Sequence, residues 1–207
     1  MKDTKTIKLN LGCGIRHKSG FINIDKYVTK DYILDIIMNG NKLAYIEPKS
    51  EYLQADFMSL PFDDNSVDYI ESIDTIEHLG FREVGKAISE MKRVLKRGKM
   101  ARIQTIDFNA LATEWAEKIS NNPSPQIKDY MDLTQSIYGN QYNEGQFHKC
   151  TWNPAFAIHM FLNEYKFSTA QVIVFPKGCT NPPPLKTVIW DHSRMYKHQM
   201  IIIEAIK

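Results

Sequence analysis

The stretch from Val67 to Ile106 constrains the fold most. Val67 to Ile73 is a β-rich run entered through the turn residues Asp63, Asp64, Asn65 and Ser66. From Arg82 to Leu95, the residues Val84, Ala87, Ile88, Met91, Val94 and Leu95 follow the i, i+3, i+4, i+7 spacing of a helix with one apolar stripe, and Gly98 supplies its stop. Met100 to Ile106 is a second β-rich run. The stripe needs a sheet to lie on, and a strand, a helix and a strand in this order predict parallel pairing with the helix as crossover. The expected architecture is a three-layer α/β domain around a mostly parallel sheet.

The remaining segments extend this pattern. Ile7, Leu9 and Leu11 alternate with polar residues and stop at Gly12-Cys13-Gly14, and Phe21 to Ile24 is a second short strand closed by Asp25. Helical spacing between Asp31 and Ile46 is interrupted near Gly40, and Tyr52 to Ala55 leads to Asp56. Asp107 is placed to cap a helix of Leu111, Ala112, Trp115 and Ile119. Asn153-Pro154 opens another helix, reaching about Tyr165. Gln171 to Phe175 and His198 to Ile206 read as closing strands around the proline-rich 179–184 loop. At 207 residues, 1–207 is expected to form one domain, with 121–152 as a lid or substrate insertion.

Composition narrows the function classes. Twenty-six Lys and Arg against 24 Asp and Glu give a formal charge of +2, too little to announce a polyanionic partner. Cys13, Cys150 and Cys179 form an odd set without a C-x-x-C pair, which argues against a disulfide framework and points to a reducing cytoplasm. Neither the charged N-terminus nor the short apolar run Met200 to Ile206 has the length of a signal or membrane segment. No metal-ligand spacing is evident.

Ligands in open α/β sheets bind outside the carboxyl ends of the strands. Here those ends carry Gly12-Cys13-Gly14, Asp25, Asp56-Phe57 and Ser72 to His78. Together with Leu60-Pro-Phe-Asp-Asp-Asn-Ser-Val-Asp68, Ile76-Glu77-His78-Leu79 and Arg93-Val-Leu-Lys-Arg-Gly98, in this order, they resemble the class I S-adenosylmethionine-dependent methyltransferases, type 11 family. The resemblance implies a Rossmann-like methyltransferase sheet. It also implies that S-adenosyl-L-methionine is held by Asn10, Gly12, Cys13, Gly14, Asp25, Asp56, Phe57 and Ser72, with Asp25 toward the ribose, Asp56 toward the adenine amine, and Phe57 or Met58 against the ring. Asn10 replaces the acid common in the first motif. Only nine residues, Gly12 to Gly20, separate the first two strands, too few for a crossover helix. This shortened crossover harms a dinucleotide site, which needs a helix N-terminus for its phosphates, more than an S-adenosylmethionine site. Arg16, His17 and Lys18 are candidates for the cofactor carboxylate, or solvated charges.

The 121–152 segment shows no sustained periodicity, and carries Tyr130, Tyr138, Tyr142, Phe147 and Trp152 among amides and hydroxyls. Such a lid suits a neutral polar acceptor with an apolar face, and suits nucleic acid poorly. For removal of an acceptor proton, His148 is the first candidate, followed by Asp107 and His78, each with a purely structural alternative as loop bonder, helix cap or turn brace. The basic run Lys92, Arg93, Lys96, Arg97, Lys99 and Arg102 reads as a solvated face rather than a nucleic-acid surface. The expected function is methyl transfer to an oxygen of a sugar or other small metabolite. The competing readings are a non-catalytic methyltransferase-like binding subunit and a nicotinamide-dependent oxidoreductase.

Overall fold

The computed structural model describes residues 6–39, 45–46, 50–141, 144–175 and 198–207. Gly40, Leu43, Tyr142 and the 179–184 stretch lie outside them. In chain order the elements are β1 (Lys8–Leu11), β2 (Arg16–His17), β3 (Ile22–Asp25), α1 (Lys30–Met38), β4 (Tyr45–Ile46), β5 (Glu51–Gln54), β6 (Val67–Ile73), α2 (Val84–Val94) and β7 (Leu95–Ile106). They continue with α3 (Phe108–Trp115), α4 (Ile127–Tyr138), α5 (Pro154–Ile158), β8 (Thr169–Phe175) and β9 (Met200–Ile206). The main sheet runs β5-β3-β1-β6-β7-β9-β8. It is parallel except that β9 pairs antiparallel with both β7 and β8.

This is the three-layer α/β arrangement expected, with the order of strands reversing between β1 and β6. The stripe of α2 is buried at Val84, Ala87, Ile88, Met91 and Val94, in one core with Leu9, Leu11, Ile70, Ile103 and Ile203. Helix α2 passes into β7 without a glycine stop, because Leu95 is already extended and pairs with Val67. Gly98 instead lies inside β7 at φ +72°, its N–H bonded to the Lys207 carbonyl. Most of the basic run is paired with nearby acids or carbonyls, while Arg97 and Lys99 stay exposed to solvent. Arg93 binds Glu90, Asp64 and the Leu60 and Phe62 carbonyls, Lys92 binds the Tyr165 and Lys166 carbonyls, Lys96 pairs with Asp68, and the buried Arg102 lies against Glu204.

Residues 12–21 join β1 to the adjacent parallel β3 without a helix. A buried pair of amides holds this connection. Asn23 donates to the Lys18, Phe21 and Glu51 carbonyls, while its Oδ1 accepts from the Lys18 N–H and from the Asn10 side chain. Asn10 also donates to the Arg16 carbonyl. An acid at position 10 has no proton to give to either acceptor. The departure from the common motif thus accompanies the missing helix.

The 121–152 segment contains a twelve-residue helix, α4, where no periodicity is legible. Only Leu133 is buried in it, and Ile127, Tyr130, Met131 and Tyr138 are exposed, so its apolar residues do not define one stripe. The Asn10→Asp variant is expected to lose both donated bonds. At about 1–3 kcal/mol for each buried group left unpaired, its melting temperature should fall by several degrees in a calorimetric scan; an unchanged midpoint would remove the amide pair from its role.

Candidate functional site

The carboxyl ends of β1, β3, β5, β6 and β7 form one rim. At the point where strand order reverses, Gly12 follows β1 at φ +66° and Thr75 follows β6. Thr75 Oγ1 donates to the Gly12 carbonyl, and a Cβ on Gly12 would overlap the threonine side chain. The glycine is therefore required by this close approach and by its left-handed backbone. Gly14 differs. At φ +52°, a Cβ there would meet no described atom within 4 Å, so its backbone borders open space.

Asp25 closes β3 and organises the turn around it. Its Oδ2 accepts from the Gly14 N–H at 3.0 Å, and its Oδ1 accepts from the N–H groups of Tyr27 and Val28 at 2.8 and 3.0 Å. A carboxylate has roughly four acceptor positions, so this turn role leaves capacity for a ligand donor. Asp56, beyond β5, binds the Lys26 ammonium and the Met58 N–H. Burial opposes its ionisation, but these hydrogen bonds outweigh burial and hold its carboxyl below the usual range.

Other residues expected around the cofactor lie beneath this rim. Asn10 is buried and committed to Asn23 and Arg16. Phe57 is buried in the hydrophobic core, whereas its neighbour Met58 is only partly buried. Ser72 is buried within β6, and Cys13 is buried with its thiol pKa raised by burial and then by Asp25. Lys18 pairs with Glu71 of β6, and His17 is buried, stacked on Tyr52 at 5.0 Å. These two side chains brace the short crossover.

The other end of the rim gathers a second set of residues. After β6 the chain makes a single tight helical turn, Ile76–His78, and the 121–152 segment returns to it, with the N–H groups of Lys149 and Cys150 both donating to the Glu77 carbonyl. This places the rings of His78 and His148 4.7 Å apart, edge to face. His78 Nδ1 lies 3.0 Å from the Phe147 carbonyl, and His148 Nδ1 lies 2.9 Å from the Ser136 carbonyl. A carbonyl only accepts, so each Nδ1 carries the proton and each Nε2 keeps its lone pair. Both pKa values are lowered, chiefly by burial, for His78 also by the facing His148. Glu77, Thr105, Phe108, His148, Cys150 and Trp152 line a small open recess.

Asp107 is not arranged like the histidines. It is buried, caps α3 through the Asn109 N–H, and accepts from the Gln199 side chain with its other oxygen. Trp152 is likewise a core residue rather than a lid surface, while Tyr130, Tyr138 and Phe147 remain exposed. His198 bridges Glu114 of α3 and Ser136 of α4, fixing the helix that supports His148. Glu77 was the residue that sequence reasoning did not single out. Its adjacency to His78 was visible, but neighbours in sequence rarely converge, and His148 lies far along the chain.

The rim fits S-adenosyl-L-methionine at three points: the open space at Gly14, and two acidic acceptors at the ends of adjacent strands for the donors of a ribose and an adenine amine. Comparisons with known proteins bear on the domain and the fold. Residues 9–103 match the Methyltransferase domain family, type 11. The chain is 31% identical over 137 residues to an uncharacterised protein of Methanocaldococcus jannaschii, covering 64% of this chain and 56% of that protein. It is 28% identical over 142 residues to the 24-methylenesterol C-methyltransferase 2 of Arabidopsis thaliana, covering 62% and 39%. The matches thus span little more than half of these relatives, or less. Among solved structures, an S-adenosylmethionine-dependent methyltransferase of Methanosarcina mazei superposes with a TM-score of 0.58 at 15% identity, over 99% of this chain and 93% of that one. Residues 9–103, from β1 into β7, thus carry the sequence features of the type 11 methyltransferase domain family, and the whole chain shares the fold of S-adenosylmethionine-dependent methyltransferases.

Proposed function

We propose that this chain transfers a methyl group from S-adenosyl-L-methionine to a hydroxyl oxygen of a small polar acceptor, a sugar or other small metabolite. The observation that carries the reading is the His78–His148 pair, held by backbone carbonyls on the same rim as Gly14, Asp25 and Asp56. Bound there, S-adenosylmethionine supplies a methyl activated by its sulfonium; the acceptor oxygen forms the new C–O bond as the C–S electron pair returns to sulfur. Asp25 and Asp56 hold the nucleoside end, and the backbone at Gly14 borders the methionine part.

The chain's further contributions are alignment, exclusion of water and disposal of the acceptor proton. Proton removal belongs to the His78–His148 pair, with His148 first. The 121–152 segment is read as the lid, and the exposed rings of Tyr138 and Phe147 supply an apolar face for the acceptor. The largely paired basic run supports a small acceptor over a nucleic acid. No helix among the described residues is long and apolar enough to cross a membrane.

Calorimetry should show S-adenosylhomocysteine binding and no NAD binding; tight NAD binding without the former would overturn the function. In Asp25→Asn, S-adenosylhomocysteine affinity should fall about 10- to 100-fold, as expected for roughly 1.5–3 kcal/mol of charge-assisted hydrogen bonding. An unchanged dissociation constant in a folded variant would leave Asp25 as a turn residue alone. His148→Ala should keep cofactor affinity nearly intact while turnover drops by about 100- to 10,000-fold. If affinity collapses with activity, His148 serves the cofactor pocket or the fold instead.

A further inference from the structure

We propose that Glu77, His78 and His148 form a site for a first-row divalent metal ion, and that the methyl acceptor binds this ion through two adjacent oxygens. The proposal rests on the methyl-transfer reading only in its second half. One ligand atom from each of the three residues lies within 4.8 Å of the other two. Around a five- or six-coordinate ion with bonds of about 2.0–2.2 Å, neighbouring ligand atoms sit roughly 3 Å apart, so the three side chains draw somewhat closer when an ion binds.

A second, independent observation is the shell behind the ligands. Metal-binding histidines characteristically donate their other N–H to a carbonyl or carboxylate, which fixes the tautomer and aims the remaining lone pair. Both rings here do so, one to Phe147 and one to Ser136. Ser136 is in turn tied to His198 and Glu114, so the anchor is itself braced. The Glu77 backbone carbonyl receives two N–H groups from the lid, which locks its turn against His148. Asp74 lies close enough for its negative charge to act on both imidazoles, which also favours a cation between them. One ring nitrogen from each histidine and a carboxylate oxygen of Glu77 thus lie within reach of a single cation.

The donor set selects the ion. Two imidazoles with one carboxylate suit zinc, cobalt, iron or manganese, whereas calcium and magnesium favour all-oxygen sites. Three protein ligands leave positions open for substrate. An acceptor with a vicinal diol, a catechol or an α-hydroxy acid fills two of them. With an ion in place, His78 and His148 promote loss of the acceptor proton through the metal instead of accepting it themselves: coordination lowers the pKa of the bound hydroxyl, and the proton passes to solvent.

The test is a cobalt(II) titration of chelator-treated full chain without an affinity tag, followed by visible absorption. One equivalent should bind with a d–d spectrum, and zinc(II) should displace it. Affinity should fall at least about 10-fold in His148→Ala, His78→Ala and Glu77→Gln, and stay unchanged in His159→Ala, which alters an exposed histidine. Adding pyrocatechol should shift the cobalt spectrum, and a simple alcohol should not. Absence of stoichiometric cobalt binding in the unmodified chain, or equal affinity in Glu77→Gln and the unmodified chain, overturns the site. A cobalt site that ignores pyrocatechol overturns the acceptor class. S-adenosylhomocysteine is titrated in parallel: its binding without cobalt defeats only the metal site, and cobalt binding without it supports the metal site while defeating the methyl-transfer reading.

Discussion

The Asn10–Asn23 amide pair is the interaction on which the cofactor side of the molecule depends. Two parallel strands joined by residues 12–21 leave no room for the usual crossover helix, and the polar backbone of the connection still has to be satisfied inside the protein. Asn23 provides both donors and an acceptor at full burial, and Asn10 supplies the matching proton from the neighbouring strand. Side-chain amides thus replace backbone helix hydrogen bonds. The glycine turn can then end β1 directly beneath Asp25.

That substitution changes what the strand ends do. Without a helix N-terminus behind Gly14, the rim's anchoring groups are carboxylates, and Asp25 orders the turn through three backbone N–H groups before any ligand arrives. A site of this kind suits a ligand rich in donors, as ribose hydroxyls and an adenine amine are, better than a pyrophosphate. The same economy explains why Lys18 and His17 turn inward: they pack the short loop against Glu71 and Tyr52.

At the opposite end the organising contact is backbone to backbone. The Glu77 carbonyl holds the chain at Lys149 and Cys150 by two N–H groups, while Phe108 N–H binds the Trp152 carbonyl and Trp152 is buried in the core. The 121–152 segment is therefore anchored at its end by a large aromatic side chain, and His148 is delivered to the tight turn after β6. Tyr130, Tyr138 and Phe147 keep exposed rings on this segment.

The order of β-rich runs, the stripe of α2, the caps at Asp107 and Asn153, and the short first connection were all determined by local sequence, because periodicity and capping act within a few residues. The glycines and acids at the strand ends were legible for the same reason. Helix α4 was not, since its residues bury only Leu133 and owe their conformation to the surrounding chain. Nor could sequence tell that Phe57 and Ser72 face inward while Asp56 stays at the rim, because strand and turn twist decide which side of the sheet a residue meets. The meeting of Glu77 and His78 with His148 was decided only by tertiary structure. It requires the 121–152 segment to cross the end of β6, a contact between residues far apart in sequence that no local pattern encodes.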